Sequence, residues 1–111
     1  MAVDQPNVID IVAIRPGEPL TRLVIADHLD WTLEDEHLLA LQAKLNAYLA
    51  FVESGQLSRE YPGTGGNLVR IEVAFLHEPS QQAKENFLPK AAQIIEKAGL
   101  SFSWQVKAGA A

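Results

Sequence analysis

The chain predicts an α+β fold: a two-layer sandwich of ββαβαβ order, with a four-stranded mixed sheet and two helices on one face. Three observations lead there. Four apolar or alternating runs have strand length, two longer stretches carry a helical apolar period, and segments rich in Gly and Pro separate them. The last two strands alternate apolar with polar residues, which fits a sheet covered on one side only.

The first run, Val8 to Ile14, is apolar and β-branched, as a largely buried strand requires. Arg15-Pro16-Gly17-Glu18 then offers a tight turn, because Pro sets φ and Gly accepts positive φ. Leu20 to Ala26 returns as the second strand of a β-hairpin. Thr32 is the expected N-cap of the first helix, with Asp35 three residues on. Its stripe is Leu38, Leu41, Leu45, Tyr48, Leu49 and Val52, and Gly55 is the expected C-cap. Residues 56–67 read as a flexible loop of Ser58, Pro62, Gly63, Gly65, Gly66 and Asn67. Val69, Ile71, Val73 and Phe75 alternate with polar positions in a third strand. Pro79 and Ser80 open a second helix whose stripe, Ala83, Phe87, Ala91, Ile94, Ile95 and Ala98, stays in phase across a bend at Pro89. Leu100, Phe102, Trp104 and Val106 form a last half-exposed strand, with Trp104 expected in the core. A single domain over 1–111 is expected, frayed at 1–7 and 108–111.

Composition narrows the function classes. The chain has no cysteine, so packing must supply the stability that disulfides or thiolate metal sites supply elsewhere. Its net charge of −5 is uneven: residues 1–60 hold ten acids against four bases. No basic stripe exists to neutralise phosphates, which argues against nucleic acid. No apolar run is long enough to span a bilayer, and the N-terminus lacks a signal-peptide pattern, so a cytoplasmic location away from membranes is expected.

The densest chemistry lies between residues 27 and 37, where Asp27, Asp30, Glu34, Asp35, Glu36, His28 and His37 surround Trp31 with no Lys or Arg among them. If the helices are crossovers, strands 2, 3 and 4 run parallel. Asp27, His28, Asp30 and Trp31 then share a sheet edge with His77 and Glu78, where open α/β sheets bind ligands. Such a group is able to hold a divalent metal or form an acid/base pair. The plainer account is that Glu34 and Asp35 complement the helix dipole while Asp27 or Asp30 orders a turn. The spacing of His28 and His37 matches no metal motif. Pro62-Gly63-Thr64-Gly65-Gly66 lacks the Lys and the following helix of a phosphate loop. Ser101 and Ser103 have no His and acid beside them in sequence to make a nucleophile.

The segments Val3-Asp4-Gln5-Pro6-Asn7-Val8-Ile9-Asp10, Ala26-Asp27-His28-Leu29-Asp30-Trp31 and Leu45 to Gly55 resemble an uncharacterised bacterial family of small domains of unknown function. The resemblance runs over nearly the whole chain and implies a compact α+β domain of bacterial cytoplasmic origin. It implies no activity, so no functional residues carry over from it. The sequence therefore leads to a non-enzymatic protein–protein interaction module. It is expected to act through the uncovered sheet face or an exposed strand edge, as a homodimer or as an acidic inhibitor or immunity-type protein. The competing expectation is a ligand- or metal-binding protein, or a hydrolase-like enzyme, at the C-terminal ends of strands 2 and 3. No cofactor, metal or catalytic residue is assigned.

Overall fold

A computed structural model describes residues 11–14, 19–61 and 68–106. It contains β1 (Ile11–Ile14), β2 (Leu20–Asp27), α1 (Glu34–Glu53), α2 (Gln56–Glu60), β3 (Leu68–Phe75), a π-helical turn (Ala83–Phe87) running into α3 (Leu88–Lys97), and β4 (Ser101–Val106). The expected turn at 15–18, the glycine-rich stretch 62–67, the start of the first strand at 8–10 and the expected frayed ends at 1–7 and 108–111 lie outside the described residues.

The four strands form one sheet in the order β1-β2-β3-β4. β1 runs antiparallel to β2, while β2, β3 and β4 are mutually parallel, so the predicted mixed α+β sheet is correct. Two crossovers stepping the same way across a sheet, both right-handed as the rule requires, lay their helices on the same face. Burial agrees. Leu23 and Ile25 of β2, with Ile71, Val73 and Phe75 of β3, pack in one core with Leu41, Leu45 and Tyr48 of α1 and Leu88, Ala91 and Ile95 of α3. The intervening positions Arg22, Arg70, Glu72, Ser101 and Ser103 fall on the opposite face, which no described helix covers.

Several local expectations need correction. α1 begins at Glu34, with Leu33 and not Thr32 in the capping position and no side-chain cap. Its buried face is His37, Leu41, Lys44, Leu45, Tyr48 and Phe51, so the stripe is rotated from the apolar one and includes two polar residues. That rotation leaves Leu39 exposed and lets the Tyr48 hydroxyl donate to the Val24 carbonyl at 3.0 Å, tying helix to sheet. Within the segment expected to be a loop, Gln56–Glu60 forms the short α2, burying Leu57 against the core.

The second helix does not keep phase. The Leu88 N–H donates to the Ala83 carbonyl five residues back, which defines the π turn. Pro89 has no N–H, and in a regular α-helix its ring crowds the carbonyl four residues earlier. Widening the preceding turn absorbs that conflict and advances the buried face by one position. Leu88 therefore takes the core place expected of Phe87, and Ile94 turns outward. Ser80 caps this helix, its hydroxyl accepting from the Ala83 N–H at 3.2 Å.

Both helix ends use glycine at positive φ, Gly55 at 83° and Gly99 at 87°. At Gly99 the Leu100 N–H reaches back to the Ile95 carbonyl at 3.2 Å, closing a Schellman turn that aims the chain into β4. A Cβ at Gly99 would meet nothing within 4 Å, so only backbone strain opposes substitution. Gly99→Ala is expected to lose about 1–2 kcal/mol in denaturant unfolding with the fold retained.

Candidate functional site

The parallel register aligns the ends of β2 and β3, with Asp27 beside Phe75, and the Leu76 N–H extends the pairing to the Asp27 carbonyl at 2.9 Å. Residues 28–33 and 76–80 therefore leave the sheet side by side at its C-terminal rim. α1 starts from that rim, which brings His37, one turn into the helix, back over the end of β2.

At the centre is a buried pair. Asp27 is 1% exposed and His37 2%. Asp27 Oδ2 lies 2.5 Å from His37 Nε2, while Asp27 Oδ1 accepts from the Leu29 N–H at 3.1 Å. His37 Nδ1 is 3.0 Å from the Asp30 carbonyl oxygen. A carbonyl oxygen only accepts, so Nδ1 must carry a hydrogen. One further proton must then lie between Nε2 and Oδ2, since two lone pairs at that distance would repel. The pair is thus neutral as a unit, whether written as carboxylic acid with imidazole or as carboxylate with imidazolium. Burial pushes the Asp27 carboxyl above its ordinary value, against the opposing pull of His37 and the Leu29 amide.

Trp31 roofs the pair. Its ring stacks on His37 with centroids 3.7 Å apart and planes 22° apart, and its Nε1–H points to the His77 carbonyl at 3.4 Å. The aromatic row continues from Trp31 to Phe75 at 6.0 Å and from Phe75 edge-on to Trp104 at 5.8 Å. Asp30 Oδ1 accepts from the Thr32 N–H at 3.1 Å, and Thr32 is the chief reason the Asp30 carboxyl is held below its usual range.

The six residues singled out from sequence all lie at this rim, in two different situations. Asp27 and Trp31 are turned inward and engaged. His28, Asp30, His77 and Glu78 are exposed, with Asp30 close enough to His77 to feel its charge and Glu78 paired to Lys84 at 3.0 Å. Among the described residues, no three His, Asp or Glu side chains are grouped to hold a metal ion. The residue the sequence reading left out of the site is His37. Its signal was a polar side chain four positions before Leu41, on the face of α1 that the core must occupy.

Asp27→Ala, which leaves buried His37 Nε2 without a partner, is expected to lose about 3 kcal/mol in denaturant unfolding. Asp27→Asn keeps an acceptor for Leu29 and a donor for Nε2, so it should lose less than half as much. A carboxyl whose folded value is raised binds its proton more tightly when folded. Its contribution is therefore complete below the unfolded value of 3.8 and lost as pH rises through the folded one. The margin of the wild type over Asp27→Asn should be largest near that lower value and shrink towards neutral pH. A margin that grows with pH would contradict the assignment.

Comparison with known proteins adds the family and nothing about chemistry. No curated protein and no solved structure matches the chain. The family of unknown function DUF6572 matches residues 1–108. With its matched residues spanning almost the full length, the chain belongs to the family of unknown function DUF6572.

Proposed function

We propose that this domain is a non-enzymatic module that acts by contact with another protein through the uncovered side of its sheet. The observation that carries the reading is how its polar chemistry is divided. Among the described residues, the close acid–imidazole pair at the rim, Asp27 with His37, is buried under Trp31 and used in holding α1 to β2. A reacting group needs access to substrate, and this pair has none. The sheet, by contrast, offers Arg22, Arg70, Ser103 and Gln105 on a face that no helix among the described residues covers, ending in β4. Arg22 and Arg70 both lie 3.8 Å from Glu72, so this face sets two guanidinium groups against one carboxylate and keeps a polar, hydrogen-bonding character.

A second reading has one observation in its favour. Asp30, Asp35 and Glu36 are exposed at the rim, and Asp30 is held ionised by Thr32, which suits an acidic inhibitor that masks a basic partner. Association of that kind slows steeply with added salt, because complementary charge acts mainly on the encounter rate.

The test is residue-specific photo-crosslinking in cells, with the crosslinking side chain introduced at Gln105 on the sheet side, at Asp35 on the acidic rim, or at Leu39 on the exposed side of α1. A discrete protein adduct from position 105 and none from 39 is the expected result. Adducts from position 35 alone would favour the acidic inhibitor, and none from any position would remove the protein-contact reading.

A further inference from the structure

β1 and β4 stand at the two edges of the sheet, β1 being described over Ile11–Ile14. β4 is six residues long, pairs only with β3 among the described strands, and carries within Ser101–Val106 no charge, no proline and no glycine. Trp104 at mid-strand is 36% exposed although it points to the helix-covered face. The sequence reading placed Trp104 in the core; the edge position explains the difference, because α3 covers β4 from one side and no described strand flanks it on the other. A groove of about 380 Å³ runs along this edge between Trp104, Phe102, Leu88, Pro89 and Lys84.

The pattern of β4 is symmetric about Trp104. Phe102 and Val106 stand two places to either side on the helix-covered face, and Ser103 and Gln105 stand one place to either side on the open face. An antiparallel copy centred on Trp104 sets Phe102 against Val106, Ser103 against Gln105 and Trp104 against Trp104. Each pair is like with like and each residue stays on its own face, whereas a slip of one residue would oppose apolar to polar throughout. Charge selects the same occupant. The chain is acidic overall, with its excess in residues 1–60, and two copies would repel over most orientations. At β4 they meet with no charged side chain within Ser101–Val106 of either strand, and Lys84, which lines the groove, is paired with Glu78 at 3.0 Å.

We propose that β4 pairs antiparallel with β4 of a second copy about a two-fold axis at Trp104, joining two sheets into one of eight strands. This rests on the protein-contact reading and names its partner. The arrangement is isologous and closes at two, the commonest symmetry of soluble oligomers. Backbone hydrogen bonds along the edge supply the pairing, and the opposed Trp104 rings cover the apolar area that each protomer leaves open.

Cysteine crosslinking tests the register, because the chain has no cysteine of its own. Directly opposed residues of antiparallel strands have Cα atoms about 4.5–5.5 Å apart, within disulfide reach. An oxidised equimolar mixture of Ser103→Cys and Gln105→Cys should give a linked dimer in high yield, and either variant alone should stay largely unlinked. Light scattering of the wild type should show its mass doubling with concentration. Ser103→Lys/Gln105→Lys, with an unchanged circular-dichroism melt, should remain monomeric where the wild type is dimeric. Linking of the single variants in preference to the mixture would overturn the register. A wild type monomeric at millimolar concentration would overturn the dimer, and a sheet-side adduct to a different protein in the photo-crosslinking experiment would then leave the broader contact reading standing.

Discussion

The bond between Asp27 and His37 joins the last residue of β2 to the first full turn of α1, and the rest of the rim is arranged around it. Burying a lone ionised carboxylate costs several kcal/mol even after the surroundings relax. Here that cost is avoided by sharing a proton within a neutral pair, while Leu29 and the Asp30 carbonyl satisfy the outward atoms of each partner. Because those satisfying groups belong to residues 29 and 30, the pair also dictates the path of the chain between strand and helix. Trp31 can lie flat on His37 only if that path is followed. By comparison, the acids Glu34, Asp35 and Glu36 at the start of α1 supply a helix-dipole term of about 0.3–1 kcal/mol each. The buried pair, not the acid run, sets where α1 begins.

The parallel topology extends the consequence across the molecule. With β2, β3 and β4 running the same way, both helices start near one rim and cover one face. The aromatic row from His37 through Trp31 and Phe75 to Trp104 crosses that layer from its inner strand to its edge. It ends at a tryptophan only partly covered. The inner end of the row is closed by hydrogen bonds and the outer end is open, so the same apolar layer that stabilises the rim leaves a surface at β4.

How much of this was legible depends on the kind of signal. The β3 run from Val69 to Phe75 and the β4 run from Leu100 to Val106 announced their strands because alternation is a local property of backbone geometry. The stripe of α3 was read correctly at Ala83, Ala91 and Ile95 and wrongly at Phe87 and Ile94, since a π turn adds a residue without altering composition. For α1 the apolar count gave Leu41, Leu45 and Tyr48 correctly, with Leu49 and Val52 packing partly buried against the core, but it missed His37, Lys44 and Phe51, which are buried on the same side. Six rim residues were recognised as a group from their spacing relative to the strand ends. That two of them, Asp27 and Trp31, turn inward was not recognisable, because their partners stand ten and forty-six residues away.

The sequence by itself determined the α+β class and the number of strands and their succession along the chain, because periodicity is a rule about neighbouring residues. It left the order of strands in the sheet open, since the glycine-rich stretch before β3 allowed either direction; the parallel pairing that brings the acids and imidazoles to one rim came from the structure. Only the tertiary structure decided which polar side chains are buried, that Asp27 and His37 pair, and that Trp104 stands partly exposed on the edge strand of the described sheet. Burial is a property of what packs against a residue from elsewhere in the chain, and no window of sequence contains both sides of that contact.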